Sequence, residues 1–400
     1  MRSLLIKFGK GLNAMKREGV WHGGKRSVAA VFKLFGKVGS GDILFILSGI
    51  GDSARYRSRN QAEELNLHGF KCSVTVQDNP LLPRYVDRFK IFIFQKTLYT
   101  GTVAKMIKKI KEQGGEIIFE TDDLVYDPKF LKHMDYYNKI NVLEKPLYEN
   151  GLGGEILRDS YVKTAVASTS FLAKKLESEG KKVFISKNKL SKNDLEIIDE
   201  ILSKKTDLSG NESSDLIKIA YFSGTSSHDK DFATIKSALV HILEKHKNVE
   251  LLLFGPLEID EKFARYSERI KKFHFVPRQK HLENISKIDI NLAPLEIGNP
   301  FCESRSELKF FEAGVFGVPT IATATQTFQE AIEDGVDGFV AGDDEEWKEK
   351  LERLILDKNL RKSMGEKARE KVLKNYTNKN SCNEEYYSYL KSKIQGSNVK

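Results

Sequence analysis

The chain has 400 residues, 40% hydrophobic and 30% charged, enough for two or three domains with full cores at roughly 150 residues each, which excludes a disordered or fibrous protein. Its mean hydropathy is -0.41, and no run approaches the roughly 18 uncharged apolar residues of a membrane-spanning helix, which excludes a polytopic membrane protein. The formal charge of +9 is concentrated at the start: residues 1–40 hold nine Lys or Arg against the single acid Glu18, a balance of +8, and everything after them is near neutral at +1.

That basic arm mixes Leu4, Leu5, Phe8, Trp21, Phe32 and Phe35 with its cations and is punctuated by Gly23, Gly24 and Gly36. It lacks the uninterrupted apolar centre of a signal peptide. Two readings fit it: an interfacial segment whose residues 1–37 meet an anionic membrane surface, or a helical extension packed on the protein itself. No nucleic-acid recognition motif accompanies the charge, so nucleic acid is not expected as a partner. Cys72, Cys302 and Cys382 stand far apart without a C-x-x-C pair, which predicts a reducing compartment and no zinc site. The expected location is cytoplasmic, peripheral at the inner face of the cell membrane if the arm binds lipid.

From residue 41 strand and helix alternate, the pattern of a parallel sheet covered on both faces. Strands are predicted over residues 42–48 (DILFILS), 71–76, 91–94, 116–120, 164–167 and 182–186, with a helix over 103–111. Residues 204–215 (KKTDLSGNESSD) are polar and without periodicity, as in a linker. The alternation then resumes with strands over 217–222, 250–254, 273–276, 288–293 and 320–323. Phe232, Ile235, Leu239, Ile242 and Leu243 fall on one helix face, and residues 345–356 carry a similar stripe. The expected fold is α/β: two Rossmann-like doubly wound domains, 41–203 and 216–377, facing a cleft that receives the strands' carboxyl ends. The arm occupies residues 1–40, and residues 378–400, with Tyr386, Tyr387 and Tyr389, are expected to cross back and brace the first domain.

The most specific stretch is FCESRSELKFFEAGVFGVPTIAT at 301–323, followed by Phe328, Gln329 and Glu330 and by DGVDG at 334–338. A Glu-Ala pair opening onto Gly-Val-Pro, then a strand ending Ile-Ala-Thr, then a Glu before D-G-x-x-G, resembles the donor-binding half of family 4 (group 1) glycosyltransferases, over nearly all of residues 217–376. The resemblance implies the GT-B fold, a nucleotide-diphosphate sugar bound chiefly to the second domain, a glycan or lipid-linked acceptor approaching from the first, and transfer with retention in the assembly of surface polysaccharides or glycoconjugates. It implies neither a cofactor nor a metal.

Residue chemistry supports that reading. Glu312, on a helix, can accept two charge-assisted hydrogen bonds from the vicinal diol of a ribose. The family keeps a second Glu eight positions earlier, where this chain has Ser304; Glu303, one residue off register, is the candidate to touch the donor sugar. A departing diphosphate needs cations or backbone amides, and residues 223–230 (SGTSSHDK) close a strand and open a helix, so the amides of Gly224 and Thr225 can meet phosphate. Lys230 stands where the family keeps its phosphate lysine, and Thr225 where it usually has arginine. Arg305 and Lys309 are the expected replacements. Asp229-Lys230-Asp231 spells D-x-D, but acids in a first helical turn complement the helix dipole, and metal is not expected.

In the first domain, Asp122 and Asp123 leave a predicted strand at its carboxyl end and are the candidates to hold or deprotonate an acceptor hydroxyl. Gly49 and Gly51 form a Gly-rich turn, and Arg55 and Arg57 after it could meet an anionic acceptor group or the donor phosphate. Two other functions compete. Residues 49–54 (GIGDSA) fit the dinucleotide fingerprint G-x-G-x-x-A with Asp78 after the next strand, which suggests an NAD-dependent oxidoreductase. The missing Glu and Arg suggest a catalytically silent homologue that scaffolds a membrane complex.

Overall fold

The structure, a computed structural model, describes residues 38–49, 51–134, 137, 140–142, 144–208, 215–224 and 229–396. The expected membrane-binding arm, residues 1–37, and the phosphate candidate Thr225 lie outside the described residues.

Strands β1 (Ile43–Leu47), β2 (Cys72–Val76), β3 (Ile91–Gln95), β4 (Glu116–Thr121), β5 (Thr164–Ala167) and β6 (Lys182–Ile185) form one sheet in the order β2-β1-β3-β4-β5-β6. A second sheet takes β7 (Ile217–Phe222), β8 (Val249–Phe254), β9 (Ile270–Phe273), β10 (Ile290–Ala293), β11 (Thr320–Thr323) and β12 (Phe339–Ala341) in the order β12-β11-β10-β7-β8-β9. The pairings are parallel throughout. Near-continuous apolar runs are what such strands require, because alternate side chains enter cores on opposite faces. In β1, Leu44 and Ile46 join one core while Ile43 and Phe45 join the other; in β7, Ile219 and Tyr221 part in the same way from Ala220 and Phe222.

The helices that concern the site and its supports are α1 (Asn60–Leu67), α2 (Gly101–Glu112), α3 (Ser170–Glu177), α4 (Lys192–Leu208), α5 (Asp229–Ala233), α6 (Lys236–Lys245), α7 (Arg278–Ile285), α8 (Leu308–Gly314), α9 (Asp344–Leu356), α10 (Lys358–Asn375) and α11 (Glu384–Gly396). Helix α11 lies over the first sheet, where Tyr386, Tyr387 and Leu390 share a core with Ile43, Phe45, Ile91 and Ile93. The two crossings between domains run side by side: the Leu190 amide donates to the Tyr376 carbonyl at 2.8 Å and the Asn378 amide to the Leu190 carbonyl at 3.0 Å.

Three boundaries differ from expectation. Residues 204–208, read as the start of a linker, are the last turns of α4, and Ile198 of that helix packs into a core of the second domain. Residues 192–203 therefore pack with the second domain, against the expected boundary, because the apolar stripe of α4 faces α7. Strand β9 precedes the expected 273–276 by three residues; as an edge strand it exposes Lys271 and Lys272, and the aromatic signal downstream is a loop. The three-residue β12 was too short to carry a signal of its own.

Candidate active site

Strand order reverses between β1 and β3 in the first sheet and between β7 and β10 in the second. In open α/β sheets the ligand crevice lies outside the carboxyl ends of the strands at such points. In the second domain β7 runs into Ser223, whose hydroxyl donates to the Pro256 carbonyl at 3.0 Å, and then into Gly224. Lys230 is exposed on the first turn of α5 and the next residue, Asp231, is buried. One Asp231 oxygen accepts from Arg305 Nη1 at 2.5 Å and the other from Cys302 Sγ at 3.2 Å. The second aspartate of the D-x-D stretch thus holds Arg305 at the crevice.

Asp231, Glu296 and Cys302 bring ligand atoms within 4.8 Å of one another. Burial first, and Asp231 second, push the Cys302 thiol up to about 12. A divalent ion there would have to displace Arg305 and strip a proton from that thiol, so the donor set fits a metal poorly at neutral pH.

Helix α8 places Lys309 and Glu312 three residues apart, on one face. Lys309 is half-buried with Nζ 5.3 Å from the Tyr221 ring centroid. Burial, and then the neighbouring Arg305, lower its amine to about 8. Glu312 is nearly enclosed. Its Oε1 accepts from Tyr56 Oη at 2.6 Å and from Arg278 Nη1, and its Oε2 meets His281 Nε2 at 3.3 Å. Burial would raise its carboxyl, but Arg278 and His281 outweigh that and hold it far below the usual range. Arg278 is fixed in turn by Asp194 of α4 at 3.0 Å and donates to Tyr56 Oη at 2.9 Å.

Glu303 and Ser304 are otherwise occupied. The Glu303 carboxylate accepts from the amides of Gly298 and Gln326, each at 3.3 Å. Ser304 is fully buried and donates to the Phe301 carbonyl at 2.8 Å. Both hold the 298–304 loop in shape, and this loop abuts the first domain: Asn299 Nδ2 donates to the His133 carbonyl at 3.1 Å and Thr169 Oγ1 to the Ser304 carbonyl at 3.4 Å.

Across the cleft, Asp122 and Asp123 lie just past β4, and Lys96 Nζ bridges them at 2.6 and 2.8 Å. Ser53 donates to the second oxygen of Asp122 at 2.7 Å. Burial works against ionisation of Asp122, but Lys96 and Ser53 prevail and its carboxyl is lowered; at Asp123 burial wins and raises it. Lys96 has φ of 44°, the one positive value outside glycine among the described residues, a backbone state of the sort that clusters at functional sites. Gly49 and Gly51 are exposed, and a Cβ at either would meet nothing within 4 Å, so the turn borders open space. Arg55 is half-buried, 5.8 Å from the Tyr56 ring centroid.

Arg57 departs from expectation. Its side chain is wholly buried, with Nε 2.6 Å from Glu120 Oε1 and Nη1 donating to the Ser186 carbonyl at 2.6 Å and to Asn188 Oδ1 at 3.0 Å. An enclosed guanidinium facing a buried carboxylate cannot meet an acceptor, and Arg57 is a structural tie between β4 and the domain crossing.

The sequence reading missed Tyr56, Arg278 and His281 around Glu312, Asp231 beside Arg305, and Lys96 beside the two aspartates. For Lys96 a signal existed: a Lys directly after β3 is a neighbour, in a parallel sheet, of whatever follows β4. For Tyr56 there was none, since its partner lies 256 positions away.

The fold of two doubly wound domains is GT-B. The structure is similar to a glycosyltransferase from Rickettsia africae (TM-score 0.58, 14% identity, 88% of this chain and 98% of that one) and to HepE from Anabaena in complex with UDP and glucose (TM-score 0.55, 13% identity, 88% of this chain and 100% of that one). It is also similar to sucrose-phosphate synthase from Thermosynechococcus elongatus (TM-score 0.54, 12% identity, 90% and 98%). No curated protein matches by sequence. Residues 203–371, which carry Lys230, Arg305, Lys309 and Glu312, match the family described as glycosyl transferases group 1.

Proposed function

We propose that this protein transfers a sugar from a nucleotide-diphosphate sugar to a glycan or lipid-linked acceptor, with retention and without a metal, in the assembly of a surface polysaccharide or glycoconjugate at the cytoplasmic face of a membrane. The observation that carries the reading is the arrangement on α8 and its surroundings: an ionised Glu312 three residues after Lys309, with Arg305 held on Asp231 beside the turn that bears Lys230. The HepE structures that support a nucleotide-sugar donor hold UDP with glucose, UDP alone and UDP-glucose.

Glu312 takes the ribose hydroxyls, and Lys230 and Lys309, assisted by Arg305 and the amide of Gly224, face the diphosphate. As the bond from the anomeric carbon to the diphosphate oxygen breaks, its electron pair leaves on that oxygen and the cations stabilise the growing charge. The acceptor oxygen bonds to the same carbon from the same sugar face, and its proton passes to the departing diphosphate. Asp122, ionised and oriented by Ser53 and Lys96, holds the acceptor hydroxyl. No covalent nucleophile is required of the protein.

The test is a titration of the purified protein with UDP, GDP, ADP and dTDP and with NAD, followed by a hydrolysis and transfer screen of the matching nucleotide sugars. Binding of one nucleoside diphosphate with turnover of its sugar is expected. Tight NAD binding with none of the diphosphates would replace the reading with a dehydrogenase, and inertness toward every donor would leave a silent scaffold.

A further inference from the structure

Tyr56 belongs to the first domain, yet its ring sits in a core of the second, edge-on to Phe311 at 6.1 Å, with only its hydroxyl group reaching Glu312. It lies in a π-helical turn, residues Arg55–Arg59, a rare geometry found often at functional sites. The hydroxyl donates to Glu312 Oε1 and accepts from Arg278 Nη2.

A carboxylate offers about four acceptor places. At Glu312 Tyr56 and Arg278 take two on Oε1, and His281 Nε2, in the tautomer that donates, takes one on Oε2. Among the described residues this leaves one place, whereas a ribose diol needs two. Something must yield, and Arg278 is the least able to, because its charge is paired with both Glu312 and Asp194. The Tyr56 hydroxyl is neutral and reaches Glu312 from the first domain, so its release strands no charge.

We infer that Tyr56 is a specificity-determining residue: by competing for Glu312 it cancels most of the advantage a ribonucleotide has over a 2′-deoxyribonucleotide, so that the site admits donors of both classes. A ribonucleoside diphosphate gains two hydrogen bonds and displaces one, and its 2′-deoxy counterpart gains one through the 3′-hydroxyl and displaces none. The inference rests on the placement of ribose at Glu312.

The experiment measures dissociation constants by calorimetry for UDP and dUDP, GDP and dGDP, and ADP and dADP, on wild-type protein, Y56F and E312Q. The Phe ring keeps the packing against Phe311 and removes only the competitor. Wild-type protein should bind each pair within about threefold, and Y56F should bind the ribonucleotide about tenfold more tightly than wild type while leaving the deoxynucleotide within about twofold, the size of one hydrogen bond to a charged group. E312Q should lose affinity for both.

Weaker ribonucleotide binding by Y56F, or an equal change for both sugars, overturns the role of Tyr56 while the donor reading stands. Should Y56F fail to fold, the wild type still decides: a ribonucleotide preference beyond about thirtyfold, some two kcal/mol, excludes effective competition. Binding of no nucleotide by any variant overturns this inference and the donor site together.

Discussion

Arg57 and Glu120 meet at 2.6 Å with both side chains fully buried, so that the middle of the first domain encloses an ion pair. Burial raises the Glu120 carboxyl to about 7 in spite of Arg57, and Glu120 Oε2 has no hydrogen-bond partner among the described residues. Removing the cation strands a buried carboxylate, a change that costs about 3 kcal/mol or more. Because the folded-state carboxyl titrates above its unfolded value, protonation on lowering the pH relieves the penalty. Arg57→Met should therefore lose about 3 kcal/mol relative to wild type at pH 8 and much less at pH 5. Urea unfolding at the two pH values checks this, and an equal loss at both would show that the stranded charge is not the cause.

Lys309 titrates at about 8 in the donor-free protein, lowered by burial and by Arg305. A lysine whose folded value is depressed destabilises the fold while it is charged, and that penalty fades as the pH rises through about 8 toward the unfolded value near 10.4. The same loss of charge removes a cation from the diphosphate. Turnover per enzyme at low donor, kcat/KM, should fall on the alkaline side with a limb near 8, and Lys309→Arg, charged throughout, should carry that limb past 10. A flat profile between pH 7 and 10 in the wild type would remove Lys309 from the site.

Lys230 is exposed at the head of α5, the helix that follows the carboxyl end of β7. Lys230→Ala should lower kcat by a factor of roughly a hundred, the scale of losing one donor to developing charge, with melting temperature unchanged. Single-turnover measurement with saturating donor separates this from weaker binding; unchanged chemistry would refute the assignment.

Residues 1–37 carry nine Lys and Arg. Deleting them should abolish sedimentation with vesicles of anionic lipid while donor hydrolysis continues at the full rate, because the proposed site begins after residue 48. Retained sedimentation would assign membrane binding, if any, to the domains.

The alternation of apolar runs with periodic helices made the two parallel sheets legible, since a strand buried on both faces must be apolar at every position and few other structures demand that. Residues 91–94 and 217–222 were read to within a residue for this reason. The edge strand β9 was misplaced because one of its flanks is wet and its lysines break the pattern. Glu312, Lys230 and Lys309 could be singled out as candidates because their chemistry sits in a local motif, and the structure sets Lys309 and Glu312 on one short helix. Arg57 was misread because nothing local separates an arginine aimed at a ligand from one that turns inward to a carboxylate 63 positions on.

By itself the sequence determined the class of fold and the two-domain division, which follow from short-range periodicity, and its motif at 301–338 carried the family resemblance that marks the second half of the chain. Only the tertiary structure decided which charges face one another: Asp231 and Arg305, Glu120 and Arg57, the two aspartates and Lys96, and Glu312 with partners from both domains. A charge is worth most to the protein where another lies within a few ångströms in a poorly solvated place, and the chain arranges that proximity between residues whose separation along the sequence carries no trace of it.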